Sequence, residues 1–371
     1  MRPLKVALIG SRGIPASYGG YETLMEELSP RLARLGLDVT VYCRAHYTPA
    51  DLGCYRGVRL IVLPTVRTKH LDTPVHTLVS CLHATRQRFD VALVVNSVNA
   101  IFVPLLRLAG TPVALHVDGI ERQRAKWGRF GRLAYTISER LAGRVPNALV
   151  TDAEVIREYY LERYGCESTV VAYGVDPKPE PPGDTLANLG LEPGRYFLYV
   201  SRFEPENNPH QVAEAYRRVG GELPLVMVGG APYADRFIRS FAADADPRIL
   251  FPGPTYGRGY RELLSHALAY VHATEVGGTH PALVEAMGYG NCVVVNDTPE
   301  NREVAGETAH YFRASEVQTL SRALESIRSD PQGAHERGRA CLERANRLYD
   351  WDEVAEEYLS LFRRLAEPPR P

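Results

Sequence analysis

The residues of this 371-residue chain that could do chemistry fall in short stretches where apolar runs end. The first runs Gly10-Ser11-Arg12-Gly13-Ile14-Pro15-Ala16-Ser17-Tyr18-Gly19-Gly20-Tyr21-Glu22. Glycines at 19 and 20 remove Cβ atoms where backbone must approach a ligand, and a helix starting there would turn its N–H groups toward phosphate oxygens. The pattern is neither a Gly-x-Gly-x-x-Gly fingerprint nor a P-loop, and a tight turn with no ligand is the plain alternative. The second stretch, His116-Val117-Asp118-Gly119, follows an apolar run. Polar groups at a strand's carboxyl end can orient a sugar hydroxyl or move a proton, though they can equally hold a turn. Arg202-Phe203-Glu204-Pro205-Glu206-Asn207-Asn208 repeats the arrangement in the second half. There Arg202 could make charge-assisted bonds to a diphosphate, or pair with Glu204 or Glu206. The sharpest stretch is Gly277-Gly278-Thr279-His280-Pro281-Ala282-Leu283-Val284-Glu285. Its glycines permit close backbone approach, Thr279 or His280 could cap a helix with Pro281 in the first turn, and Glu285 would face a ribose one turn on.

The elements that must position these residues read as strand and helix in alternation. Lys5–Ile9, Val39–Cys43, Arg59–Leu63, Val91–Val95, Pro112–Leu115 and Ala148–Val150 are short runs rich in Val, Ile and Leu. Helical spacing lies between them, as in Leu24, Leu28, Leu32 and Leu35 of Glu22–Leu35. Continuous apolar strands between helices suit a parallel sheet covered on both faces. A Pro/Gly-rich linker, residues 173–183, follows, and the alternation resumes with Tyr196–Ser201, Leu223–Val228, Ile249–Phe251, Ala269–His272 and Cys292–Val295. The expected organisation is an α/β chain of two doubly wound Rossmann-like domains facing a cleft, residues 1–173 and 174–349, with 350–371 a final helix returning to the first domain. Ligands of such sheets bind at the carboxyl ends of the strands.

Composition sets the class. Apolar residues make up 45% and charged residues 23%, the balance of a soluble globular protein. No apolar stretch reaches the roughly 20 residues of a spanning helix, and Val6–Ile9 is too short for a signal-peptide core. Six cysteines without paired short spacing indicate neither zinc nor a disulfide framework, so a cytoplasmic setting is expected. Residues 1–173 hold 22 Lys and Arg against 15 Asp and Glu, while the remainder holds 21 against 29. A basic half joined to an acidic half suits an enzyme seated peripherally at the inner face of a cell membrane, and equally a mere drift in composition. The stretch Glu121–Arg144, with basic residues interleaved by Trp127, Phe130, Leu133 and Ile137, is the candidate contact, or else a solvated helix. No nucleic-acid partner is indicated.

Taken together, the stretches 10–23, 117–121, 124–128, 202–208 and 276–287 resemble the family-4 retaining glycosyltransferases, within them the subfamily of bacterial rhamnosyltransferases. The likeness covers nearly the whole chain. It implies the GT-B fold, with an acceptor held by the N-terminal domain and a donor nucleotide by the C-terminal one. It also implies transfer of a sugar with retention, as in cell-surface polysaccharide synthesis. The expected donor is dTDP-L-rhamnose, or a UDP- or GDP-sugar, and the acceptor a glycan or lipid-diphosphate-linked sugar. Carried over residue by residue, His116, Asp118 and Arg202 would be catalytic. Gly19, Gly20, Asn207, Asn208, Gly277, Gly278, Thr279, His280 and Glu285 would bind the donor. Glu22, Arg124, Lys126 and Trp127 would lie on the acceptor or membrane side. The chain departs from the broader family at Asn207, where a Lys is usual, and at Gly277, where a Glu is usual; Glu275 is a possible substitute. Two Asp-x-Asp patterns, Asp244-Ala245-Asp246 and Asp350-Trp351-Asp352, read as a turn and a helix start, so neither a metal nor another cofactor is expected. A nucleotide-sugar epimerase and a non-catalytic nucleotide-sugar-binding scaffold are the alternatives; a donor-only assay separates the first.

Overall fold

The structure is a computed structural model that describes residues 2–16, 19–68, 71–124, 128–230, 235–242 and 246–367. The chain forms two compact units. One comprises residues 1–123, 127–173 and 351–371, the other Gly174–Asp350 together with 124–126.

The first unit begins β1 (Lys5–Ile9), α1 (Gly20–Arg34), β2 (Asp38–Arg44), β3 (Cys54–Tyr55) and β4 (Val58–Leu63). It continues α2 (Asp72–Ala84), β5 (Val91–Val95), a 3-10 turn (Ser97–Phe102), α3 (Val103–Leu108), β6 (Val113–Val117), α4 (Arg129–Ala142), β7 (Ala148–Thr151), α5 (Glu154–Tyr164) and β8 (Thr169–Val170). The strands lie in the order β3-β4-β2-β1-β5-β6-β7-β8. Among the described residues of this sheet, the short β3–β4 pair alone is antiparallel. Buried on both faces, β5 (VALVV) and β6 (VALHV) are apolar but for His116, whose histidine thus lies inside the sheet's covering layers.

The second unit holds α6 (Asp184–Leu189), β9 (Phe197–Arg202), α7 (Pro209–Tyr216), β10 (Leu225–Gly230), α8 (Asp235–Ala242), β11 (Ile249–Gly253) and α9 (Gly257–His266). It then runs β12 (Ala269–His272), α10 (Pro281–Gly288), β13 (Cys292–Asn296), α11 (Pro299–Ala305), β14 (His310–Phe312), α12 (Val317–Ser329) and α13 (Pro331–Leu348). Its parallel sheet has the order β11-β10-β9-β12-β13-β14. The chain runs outward from β9 in both directions, so the switch point lies between β9 and β12, where the crevice of a doubly wound sheet opens. In the first unit the same reversal lies between β1 and β5.

The last helix, α14 (Trp351–Ala366), belongs to the first unit. Trp351, Val354, Ala355, Tyr358, Leu359, Leu361 and Phe362 are buried, and they share a core with Leu24, Leu28 and Leu32 of α1. Acidic residues in its first turn and Arg363 and Arg364 in its last complement the helix dipole.

Candidate active site

In the second unit the candidate residues gather at the β9–β12 switch point. Arg202 ends β9, its guanidinium partly exposed, and Nη1 lies 3.7 Å from Glu204 Oε1. The two asparagines expected to touch the donor also make hydrogen bonds within their own unit. Asn207 donates its amide to the Arg202 carbonyl at 2.7 Å. Asn208 donates to the Ala273 carbonyl at 2.9 Å and to Glu275 Oε1 at 3.0 Å. Both amide hydrogens of Asn208 are thus engaged within the protein, and one of Asn207's. Asn208 sits at φ 56°, in the left-handed region that Asn tolerates, immediately before α7. Glu275 N–H donates to the Glu206 carbonyl at 3.0 Å, joining the loops that leave β9 and β12. Glu206 is itself buried, 3.9 Å from Arg124 Nη1.

The turn between β12 and α10 explains the missing glutamate. A Cβ built on Gly277 would stand 2.3 Å from Cε1 of His280, so this backbone excludes any side chain at 277 while the imidazole occupies that place. His280 is the residue before α10, but its side chain makes no cap bond. Its ring lies 4.7 Å from that of His272, at the end of β12. Desolvation first, then competition with the neighbouring His272 for a proton and the positive charges of Arg124 and Arg202, holds His280 well below the usual imidazole range. His272 is buried, and desolvation lowers it to about 3. Both rings are therefore neutral at pH 7. Gly278 and Thr279 are buried in the same turn. Glu285, one turn into α10, accepts from the Tyr260 hydroxyl at 2.6 Å. Burial and this carboxylate raise Tyr260 well above an ordinary phenol, so it remains a donor.

In the first unit, α1 starts at Gly20 with no side-chain cap. Glu22 in its first turn is buried and accepts from the Arg12 N–H at 2.8 Å. Tyr21, beside it, donates to Asp118 Oδ1 at 2.6 Å. His116 and Asp118 stand two residues apart where β6 ends, with different exposure. Asp118 is partly exposed, whereas His116 is 1% exposed. The Nδ1 of His116 lies 2.6 Å from the Tyr358 hydroxyl of α14, and its Nε2 is buried with no hydrogen-bond partner among the described residues. Tyr21 and Tyr173 both meet the ring edge-on, at 5.9 and 6.0 Å. Desolvation alone lowers His116 to about 3, so it is a neutral imidazole under physiological conditions.

Tyr21, Tyr173, Tyr260, His272 and Tyr358 were not singled out by sequence. Tyr173 and Tyr358 carry no local motif, and Tyr358 is 242 positions from its partner. Lys126 and Trp127 lie outside the described residues, as do Asp244 and Ala245. Asp246 is engaged by Arg248 at 2.6 Å, and Asp352 by Arg31 at 2.9 Å. Among the described residues no group of three His, Cys, Asp or Glu is arranged to hold a metal ion.

Comparison with known proteins accords with this geometry. Residues 187–346 match the family model for glycosyl transferases group 1, and residues 4–176 match a domain of unknown function, DUF1972. The chain is 25% identical to alpha-maltose-1-phosphate synthase of Mycolicibacterium smegmatis, over 98% of this chain and 100% of that protein. The same enzyme of Mycobacterium tuberculosis is also 25% identical, with the same coverage. Among solved structures, sucrose-phosphate synthase from Thermosynechococcus elongatus superposes with a TM-score of 0.82 at 18% identity, covering 98% of this chain and 99% of that one. HepE of Anabaena in complex with UDP-glucose does so with a TM-score of 0.77 at 15% identity, covering 97% and 99%. Most of the second unit thus matches the model for glycosyl transferases group 1, in a chain that has the GT-B fold of two Rossmann-like domains.

Proposed function

We propose that the chain transfers a hexosyl residue from a nucleoside-diphosphate donor to a glycan or lipid-diphosphate-linked sugar, with retention and without a metal. The observation that carries this is the convergence of Arg202, Gly277 and His280 at the β9–β12 switch point, within the segment that matches group 1 glycosyltransferases. Arg202 and the N–H groups of the turn before α10 would take charge from the departing diphosphate, as preorganised donors do. Glu285, braced by Tyr260, would accept from the ribose hydroxyls. Asn207 and Asn208 hold the loop that presents Arg202. In the first unit, Asp118 would orient the transferring sugar, with His116 and Tyr21 positioning it.

The bond from the anomeric carbon to the diphosphate oxygen breaks, and the leaving group keeps the electron pair. An acceptor hydroxyl bonds to that carbon on the same face, and its proton passes to the leaving phosphate oxygen. Subfamily likeness favours dTDP-L-rhamnose as donor. UDP-glucose, bound in the HepE complex, is the second donor to test.

Thermal-shift titration of dTDP, UDP and GDP in EDTA, on wild type and Arg202→Ala, tests the reading. The expected result is a shift that survives EDTA and weakens by one to two decades in the variant, because a hydrogen bond to a charged group contributes roughly 1.5–3 kcal/mol. A shift with UDP and none with dTDP would replace rhamnose. No shift with any nucleotide would sink the transferase reading.

A further inference from the structure

One face of the first unit's sheet is covered by a layer made of α2, the Ser97–Phe102 turn, α3 and α4. Its inner side supplies Cys81, Ala100, Val103, Leu106 and Ala142 to the core. Its outer side carries Leu78 and Leu82 on α2, Ile101 in the turn, Leu108 at the end of α3, and Leu133 and Ile137 on α4. These side chains range from 37% exposed at Leu78 to 87% at Leu108. Leu78 with Leu82, and Leu133 with Ile137, are four residues apart and so lie along one helix face. Single exposed leucines need no explanation, but several on adjoining elements of one layer do.

The charges around them have one sign. Residues 72–88, 97–111 and 128–148 hold seven arginines, all exposed, and two carboxylates, Glu139 and Asp72, the latter paired with Arg44 at 2.7 Å. Glu139 is buried and accepts from Arg122, Tyr159 and Tyr164, so it presents no charge outward. Beyond the layer, α5 restores mixed charge with Glu154, Glu158 and Glu162. The sequence-based candidate at 121–144 is thereby redrawn. Arg122 is tied to Glu139 and Arg124 is buried, while α2 and α3, outside that stretch, contribute.

Exposed aliphatic side chains among arginines, with no fully exposed carboxylate among the described residues of these stretches, complement an anionic lipid surface: the arginines meet phosphates while the aliphatics reach the acyl boundary. A second copy docked by a twofold axis would set arginine against arginine, and a nucleic acid would leave the aliphatic residues without a partner. We propose that this face seats the chain on an anionic bilayer. The proposal does not depend on the transfer chemistry.

The test is co-sedimentation of the full chain with vesicles of phosphatidylcholine, with and without phosphatidylglycerol, at low and high salt. Two variants accompany the wild type: Arg129→Gln/Arg132→Gln/Arg140→Gln and Leu133→Ser/Ile137→Ser. All five positions are exposed, so both variants should melt as the wild type does. Binding is expected only with phosphatidylglycerol. It should fall about fivefold for each arginine removed, and salt should weaken it by screening. The aliphatic variant should bind more weakly at both salt concentrations. Absence of binding to the anionic vesicles at low salt would overturn the proposal. So would equal binding to both vesicle types, indifference to both variants, or a dimer that the same substitutions dissociate.

Discussion

At Gly277, the requirement for glycine comes from a neighbouring ring. A Cβ there would stand 2.3 Å from the His280 imidazole, so Gly277→Ala should destabilise the second unit by about 1–3 kcal/mol, the usual cost of overpacking. His280→Ala should remove most of that penalty in the double variant, as read by urea unfolding of the four proteins in the cycle. Additive losses would show that the ring is not the reason for glycine. The same contact gives a physical account of the absent glutamate, since a longer side chain at 277 and this ring position exclude each other. On the first unit's side, Asp118→Asn should slow transfer without leaving a sugar on the protein, because same-face attack needs no covalent intermediate. Mass spectrometry that found a glycosylated residue in this variant would replace that mechanism with double displacement.

Among elements, α14 shows most clearly how a distant segment completes a site. It closes the core over α1, and its Tyr358 hydroxyl is the hydrogen-bond partner of His116 Nδ1. Tyr358→Phe should cost about 1–3 kcal/mol, the penalty for leaving a buried polar group unmet. Deleting residues 351–371 should prevent the first unit from folding. The buried side chains larger than Ala355 contribute roughly 1.5–3 kcal/mol each, together comparable with the roughly 5–15 kcal/mol that stabilises a whole domain. Far-UV circular dichroism and limited proteolysis of the truncated chain would check this; a proteolytically resistant first unit would contradict it.

Across the whole molecule, buried neutral histidines should weaken the fold in acid. His116 and His272 both have folded-state values of about 3, against roughly 6.5 in an unfolded chain. Between these values the unfolded state binds the additional protons, so stability is full above about pH 6.5 and falls as pH drops toward 3. By pH 5 the loss should be about 1–2 kcal/mol for each ring. Urea midpoints measured from pH 7 to 4 should decline, less steeply in His116→Gln and His272→Gln, each by the share of one proton. An unchanged slope in both would mean that the rings titrate normally.

The two doubly wound sheets are legible in the order of residues, because parallel strands buried on both faces are continuous apolar runs, as Val91–Val95 and Cys292–Val295 are. The strands it did not reveal, Cys54–Tyr55, Thr169–Val170 and His310–Phe312, are two or three residues long, too short for any periodicity. It also located Arg202, the Gly277–His280 turn and Asp118, since chemistry-bearing residues at strand ends sit next to the apolar runs that mark those ends. What these residues touch is visible in the folded chain alone. That Asn207 and Asn208 brace a loop, that His280 fills the space at Gly277, and that His116 is neutral beneath Tyr358 all depend on contacts between separate elements. Burial and pairing arise from where distant segments meet, and local sequence carries no record of that meeting.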